Sequence, residues 1–173
     1  MAWYDVRMKN TQKSESKKAS PLLGILPYIG IILFIISILP IIFGGLSGDW
    51  QRQVLLNAIV YMIGWAGIGS GISHIFFGKK ISESIGFKSD PYEFEVGFAG
   101  LSFGIVGVLA PYYNTDFWLA IILVSSIYRI GCGIGHIKQM IISKNYAINN
   151  TAILFPDFIV PAFLLFGYFS WIA

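Results

Sequence analysis

Five long apolar runs, at about residues 21–45, 54–78, 91–112, 117–138 and 152–173, leave this chain few ways to fold. Each holds about the 20 residues that cross the hydrocarbon layer as a helix. They are apolar on all sides and lack the two-residue alternation of barrel strands. In a bilayer, a helix satisfies its backbone polar groups within its own segment. The predicted fold class is therefore all-α, a polytopic membrane bundle of five transmembrane helices over residues 21–173. Residues 1–20 form a basic tail ahead of it. Composition agrees, because 12% of the residues are charged, about half the share in a soluble domain. The first run follows a polar tail, exceeds the length of a signal core and lacks a small-x-small cleavage pattern, so it reads as a retained helix. The single Cys132 excludes an internal disulfide.

The basic residues predict an orientation. Arg7, Lys9, Lys13, Lys17 and Lys18 lie in the tail, Lys79, Lys80 and Lys88 after the second run, and Lys138 and Lys144 after the fourth. The opposite side has Arg52 alone, and Arg129 lies inside the fourth run. The positive-inside rule then places the protein in the cell (inner, cytoplasmic) membrane with its N-terminus cytoplasmic and its C-terminus outside. The net charge of +3 reflects attraction to lipid headgroups and not to nucleic acid. The Asn149-Asn150-Thr151 sequon falls on the cytoplasmic side and is expected to stay unmodified.

Two stretches are nearly the same: IGSGISHI at 68–75 and IGCGIGHI at 130–137, which match at six of eight positions. They contain His74 and His136, the two histidines of the chain. The same 62-residue shift aligns Glu95 with Asp157, so each histidine is followed 21 residues later by a carboxylate. Helices 2–3 and 4–5 are then candidate parallel hairpin repeats, or the likeness is a coincidence of Gly- and Ile-rich membrane helices. Asp90, Pro91 and Glu93 spell a capping box for the third helix, and Asn150 or Thr151 offers a cap for the fifth. These starts put His74, Glu95, His136 and Asp157 at one depth in the cytoplasmic leaflet. Arg129 and Cys132 share a helical face with His136. A charge as deep as Arg129 is costly and needs a partner, for which Glu95 and Asp157 are the candidates.

Several chemistries suit this set. His74, His136, Glu95 and Asp157 offer mixed nitrogen and oxygen ligands to a divalent transition metal. His74 and His136 alone suit the axial positions of a b-type haem, with Arg129 facing a propionate. A pocket for a small amphiphile, a lipid or a quinone, is the alternative, bound, transported or modified there. A structural or accessory subunit is the third reading, in which these are interfacial residues at helix ends. Glycine stripes at 64, 67 and 71 and at 97, 100, 104 and 107 point to close helix packing and also permit a homodimer or larger membrane complex. No phosphate-binding loop, HExxH or GxSxG motif occurs, so no catalytic residue is assigned. Membrane lipids are the expected partners.

The run HIFFGKKISESIGFKSDPYEFEVGFAGLSFGIVGVL, residues 74–109, resembles part of a family of small, uncharacterised prokaryotic integral membrane proteins, a domain of unknown function. Its marks are a His-bearing helix end, an Ile-Gly-aromatic turn and an aromatic-x-Glu-Val-Gly helix start, with GHI at 135–137 fitting too. The resemblance implies no activity, and it singles out His74, Glu95, Gly97 and His136. The basic tail lies outside the pattern.

Overall fold

The structure, a computed structural model, describes residues 28–173; the basic tail and the start of the first apolar run fall outside the described residues. The described residues are all helical, with no strand. The five helices are α1 (Ile29–Phe43), α2 (Trp50–Ser84), α3 (Tyr92–Tyr112, its last turn 3-10), α4 (Thr115–Ile142) and α5 (Ile148–Trp171). Helices α2 to α5 are each long and apolar enough to cross a membrane. Helix α1 is apolar but has 15 residues among those described, about 22 Å of helix at 1.5 Å per residue, against a hydrocarbon thickness of about 30 Å.

Helix α2 runs well past its expected limits of 54 and 78. At 35 residues it is about 52 Å long. Apolar content sets the hydrophobic boundary, but backbone hydrogen bonds carry the helix on through Arg52 and through Lys79 and Lys80, whose long side chains reach outward to water. Inside it, Ile59–Trp65 is a π-helix, and Phe77 breaks regular helix with φ −131° and ψ 19°. The C-terminus is closed by a Schellman turn in which Phe87 N–H bonds Ser82 O at 2.8 Å. Gly86 supplies the left-handed residue at φ 73°, a conformation that glycine adopts without steric cost.

The connections sort to two ends. At one end, Tyr28 Oη donates to Ala152 O at 2.7 Å and Asn145 Nδ2 to Ile85 O at 2.8 Å. This unites the start of α1 with the α2–α3 and α4–α5 turns, and we call it the histidine end. At the other end, Trp50 packs against Trp171, the rings tilted by 56° with centroids 5.9 Å apart. There Asn114 caps α4 by accepting from Phe117 N–H at 3.2 Å.

Glycine decides how α2 and α3 pack. A methyl group on Gly67 would lie 2.8 Å from Gly100 O and Gly104 N, and one on Gly71 would lie 2.6 Å from Leu101 N. The stripes therefore face each other within one chain, backbone against backbone. Near the tryptophan end the interior is apolar, with Leu55, Ala58, Ile59, Ala110, Trp118, Ile122 and Leu164 buried together. The Trp118 indole N–H is satisfied by Ala110 O at 2.8 Å. The periphery exposes Phe43, Phe76, Ile127, Ile142, Phe166 and Phe169, a surface that hydrocarbon and not water would cover.

Candidate functional site

Helix α4 presents Ser126, Arg129, Gly133 and His136 at i, i+3, i+7 and i+10, one helical face, and α5 packs against it. Gly133 lets α5 approach, since a methyl group there would lie 2.8 Å from the Phe158 ring and 3.3 Å from Asp157 Cβ. Asp157 is thereby enclosed at 5% exposure, and its Oδ2 finds no hydrogen-bond partner among the described residues. The Arg129 guanidinium is the cation whose charge acts on it. Arg129 Nη2 itself donates to Met62 O at 2.8 Å. Met62 belongs to the π-helix, where each N–H bonds five residues back and the widened turn redirects carbonyls. Ala66 N–H, just past the segment, reaches Tyr61 O in this way.

His136 has a different partner. Its Nδ1 lies 2.7 Å from Asn150 Oδ1, while Asn150 Nδ2 donates to Asn145 O at 3.0 Å. That second bond orients the amide, so Oδ1 is an acceptor and neutral His136 carries its proton on Nδ1. Its Nε2 then has a free lone pair. The Schellman turn of α2 delivers Phe87 to the same ring, with centroids 5.4 Å apart. Asn150, fully buried, is therefore not the expected cap of α5. It lies inside a short first turn, Ile148–Ala152, whose N-terminal residue Ala147 offers no side-chain cap.

His74 lies in a third environment. Its Nδ1 is buried without a hydrogen-bond partner, and the carboxylate whose charge reaches it is Glu93. Glu93 abuts Gly78, one turn beyond His74, and accepts from Ser82 Oγ at 2.5 Å and Asp90 N–H at 2.9 Å. The reciprocal bond, Tyr92 N–H to Asp90 Oδ1 at 3.0 Å, completes the expected capping box. Glu95 is exposed, because two residues further along a helix turns about 200° away from the face that holds Glu93. The structure thus gathers Arg129 with Asp157, His136 with Asn150 and His74 with Glu93, and it leaves Glu95 on the outside. Among the described residues no three His, Cys, Asp or Glu side chains come together to hold a metal ion.

Asn145 and Ser126 escaped the sequence reading, and Asn150 was expected as a cap and not as a partner of His136. The Asn149-Asn150 pair beside a helix start carried the signal for Asn150. A backbone carbonyl such as that of Met62 leaves none. The two motifs do share one geometry: Gly71 and Gly133 each pack against the following helix, whereas Gly69 and Gly131 each meet open space.

The model of a family of unknown function, DUF6790, matches residues 24–171 of the chain. No curated protein and no solved structure matches it.

Proposed function

The chain belongs to DUF6790, a family of unknown function, and within it we propose the binding of a small amphiphile whose polar head sits between Arg129 and Asp157. The reading takes the protein as a multi-pass protein of the cell membrane with α1 as a fifth span, the N-terminus cytoplasmic and lipids as its partners. The ten-to-one bias of Lys and Arg supports that orientation. The glycine stripes lend no support to a homodimer, since α2 and α3 already use them on each other.

One observation carries the amphiphile reading. Asp157 is buried within electrostatic reach of Arg129, yet its Oδ2 has no hydrogen-bond partner among the described residues. A hydroxyl or N–H of a lipid or quinol head would satisfy Oδ2, and an acceptor on the same head would take the remaining Arg129 donors. Solvent extraction of the purified protein, followed by mass spectrometry, tests this. A stoichiometric amphiphile is expected in wild type and lost in Asp157→Leu. A folded wild-type protein that yields none overturns it.

The haem reading is second, and the geometry of His136 favours it. Ligating histidines donate their other ring N–H to an oxygen acceptor, as His136 does to Asn150, with His74 as the opposite ligand. Absorption spectra and metal content of wild type beside a His74→Ala/His136→Ala double variant decide it. A Soret band or bound metal abolished in the variant supports this reading; none in wild type ends it.

A further inference from the structure

The buried interior of the bundle changes character with depth. Towards the tryptophan end it is apolar and closed, with Leu55, Ala58, Ile59, Ala110, Trp118 and Ile122 all essentially inaccessible. Towards the histidine end the buried groups are polar: Ser125 and Ser126, then Asp157, then Asn150. These line one seam, the shared face of α4 and α5. From Ser126 to His136 it spans ten residues of α4, about 15 Å along the helix axis. Two atoms on it, Ser126 Oγ and Asp157 Oδ2, are buried without a hydrogen-bond partner among the described residues. Both side chains are at least nine-tenths buried, at 3% and 5% exposure. Hydrocarbon offers such atoms nothing, and buried polar groups in folded proteins are almost always satisfied. Ionisable side chains inside membranes face the bundle interior or a water-filled cavity for the same reason.

We propose that the α4–α5 seam is an aqueous half-channel, open at the histidine end and closed towards the tryptophan end by the Trp118, Ile122 and Leu55 plug, which gives Asp157 access to water from one side of the membrane only. The ionisable groups that face Asp157 are Arg129, Tyr128 and Cys132 on α4, and Tyr28 at the start of α1. Water entering past His136, which is half-buried, supplies donors to Asp157 Oδ2 and Ser126 Oγ. A proton that Oδ2 takes up comes from that water and returns to it. The inference goes beyond amphiphile binding and holds whether or not an amphiphile occupies the site.

The chain carries its own reporter, because Cys132 is its single cysteine and lies beside Arg129 and Asp157. The full-length protein is reconstituted in sealed liposomes, with the orientation read by proteolysis of a tag on each terminus. A membrane-impermeant, cationic methanethiosulfonate is then applied from each side. Cys132 is expected to be labelled from the histidine side and not from the other. In a Cys132→Ser background, Ser126→Cys is expected to be labelled from that same side and Ile122→Cys from neither. Cys132 labelled from the tryptophan side, or unlabelled from both sides while the denatured protein reacts, overturns the proposal. Labelling of Ile122→Cys overturns the plug. Bound amphiphile is read separately by extraction, so a dry seam and an empty binding site are distinct results.

Discussion

Arg129 on α4 reaches across the bundle to the carbonyl of Met62, 67 residues earlier, at 2.8 Å. The π-helix of α2 and the Arg129 guanidinium thus stabilise each other. The guanidinium donates to a carbonyl within the widened turn. Replacing Arg129 by Gln is expected to destabilise the folded protein by about 1.5–3 kcal/mol, the range for a hydrogen bond to a charged group. Asp157→Asn in the same chain should recover part of that loss, since it removes the carboxylate left without its cation. Unfolding in mixed detergent micelles, run as a double-variant cycle, measures both.

The glycine seam predicts a contrast between neighbouring glycines. Gly71→Ala places a methyl group 2.6 Å from Leu101 N, and overpacking of this kind costs about 1–3 kcal/mol. Gly69→Ala, two residues away in open space, should be neutral or slightly stabilising because Ala favours helix over Gly. Thermal melting followed by size-exclusion chromatography separates the two. Equal melting temperatures for both variants would mean that the seam is not backbone against backbone.

Two glutamates two residues apart should behave differently. Glu93 holds Ser82 and the Asp90 N–H, so Glu93→Ala is expected to cost about 0.5–2 kcal/mol, as loss of a capping group does. Glu95 is exposed, and Glu95→Ala should stay within about 0.5 kcal/mol of wild type. The reverse order in a denaturation series would put the functional carboxylate where the sequence repeat aligned it.

Asn150 ties both polar turns to His136. Asn150→Ala removes the acceptor of His136 and the donor to Asn145. It is expected to cost about 1–3 kcal/mol, the penalty for buried polar groups left unpaired. Nitrogen NMR of the imidazole should show the Nδ1–H tautomer in wild type and a loss of that preference in the variant. An Nε2–H tautomer in wild type would refute the assigned orientation of the amide.

How much of this was legible beforehand follows the physics of each signal. Apolar runs near 20 residues marked the helices α2 to α5, and Asp90, Pro91 and Glu93 marked the start of α3 to within one residue, the helix beginning at Tyr92. The limits of α2 were missed, because hydropathy measures the membrane and not the hydrogen-bond ladder that runs on past Lys80. The 62-residue repeat paired His74 with Glu95, yet helical rotation turns Glu95 outward and leaves Glu93 as the neighbour. Arg129 was recognised as needing a partner, and Asp157 was one of two carboxylates named. Its hydrogen bond, however, goes to a backbone carbonyl in a π-helix, and carbonyls are identical at every residue. Asn150 looked like a cap because it sits near a helix start; only the fold around it shows the amide facing inward to His136.

The seam between α2 and α3 also has a consequence for how the chain can drift over generations. Where backbone touches backbone, no compensating side chain exists to be trimmed, so a single added carbon at Gly67, Gly71 or Gly104 meets a wall. Those sites should accept hardly any replacement, whatever its polarity. Along α4 and α5 the reverse holds, since Ser126, Asp157 and Asn150 need polar company more than a fixed volume. Selection therefore weighs size in one hairpin and chemistry in the other, and new specificities would arise in the second while the first stays still.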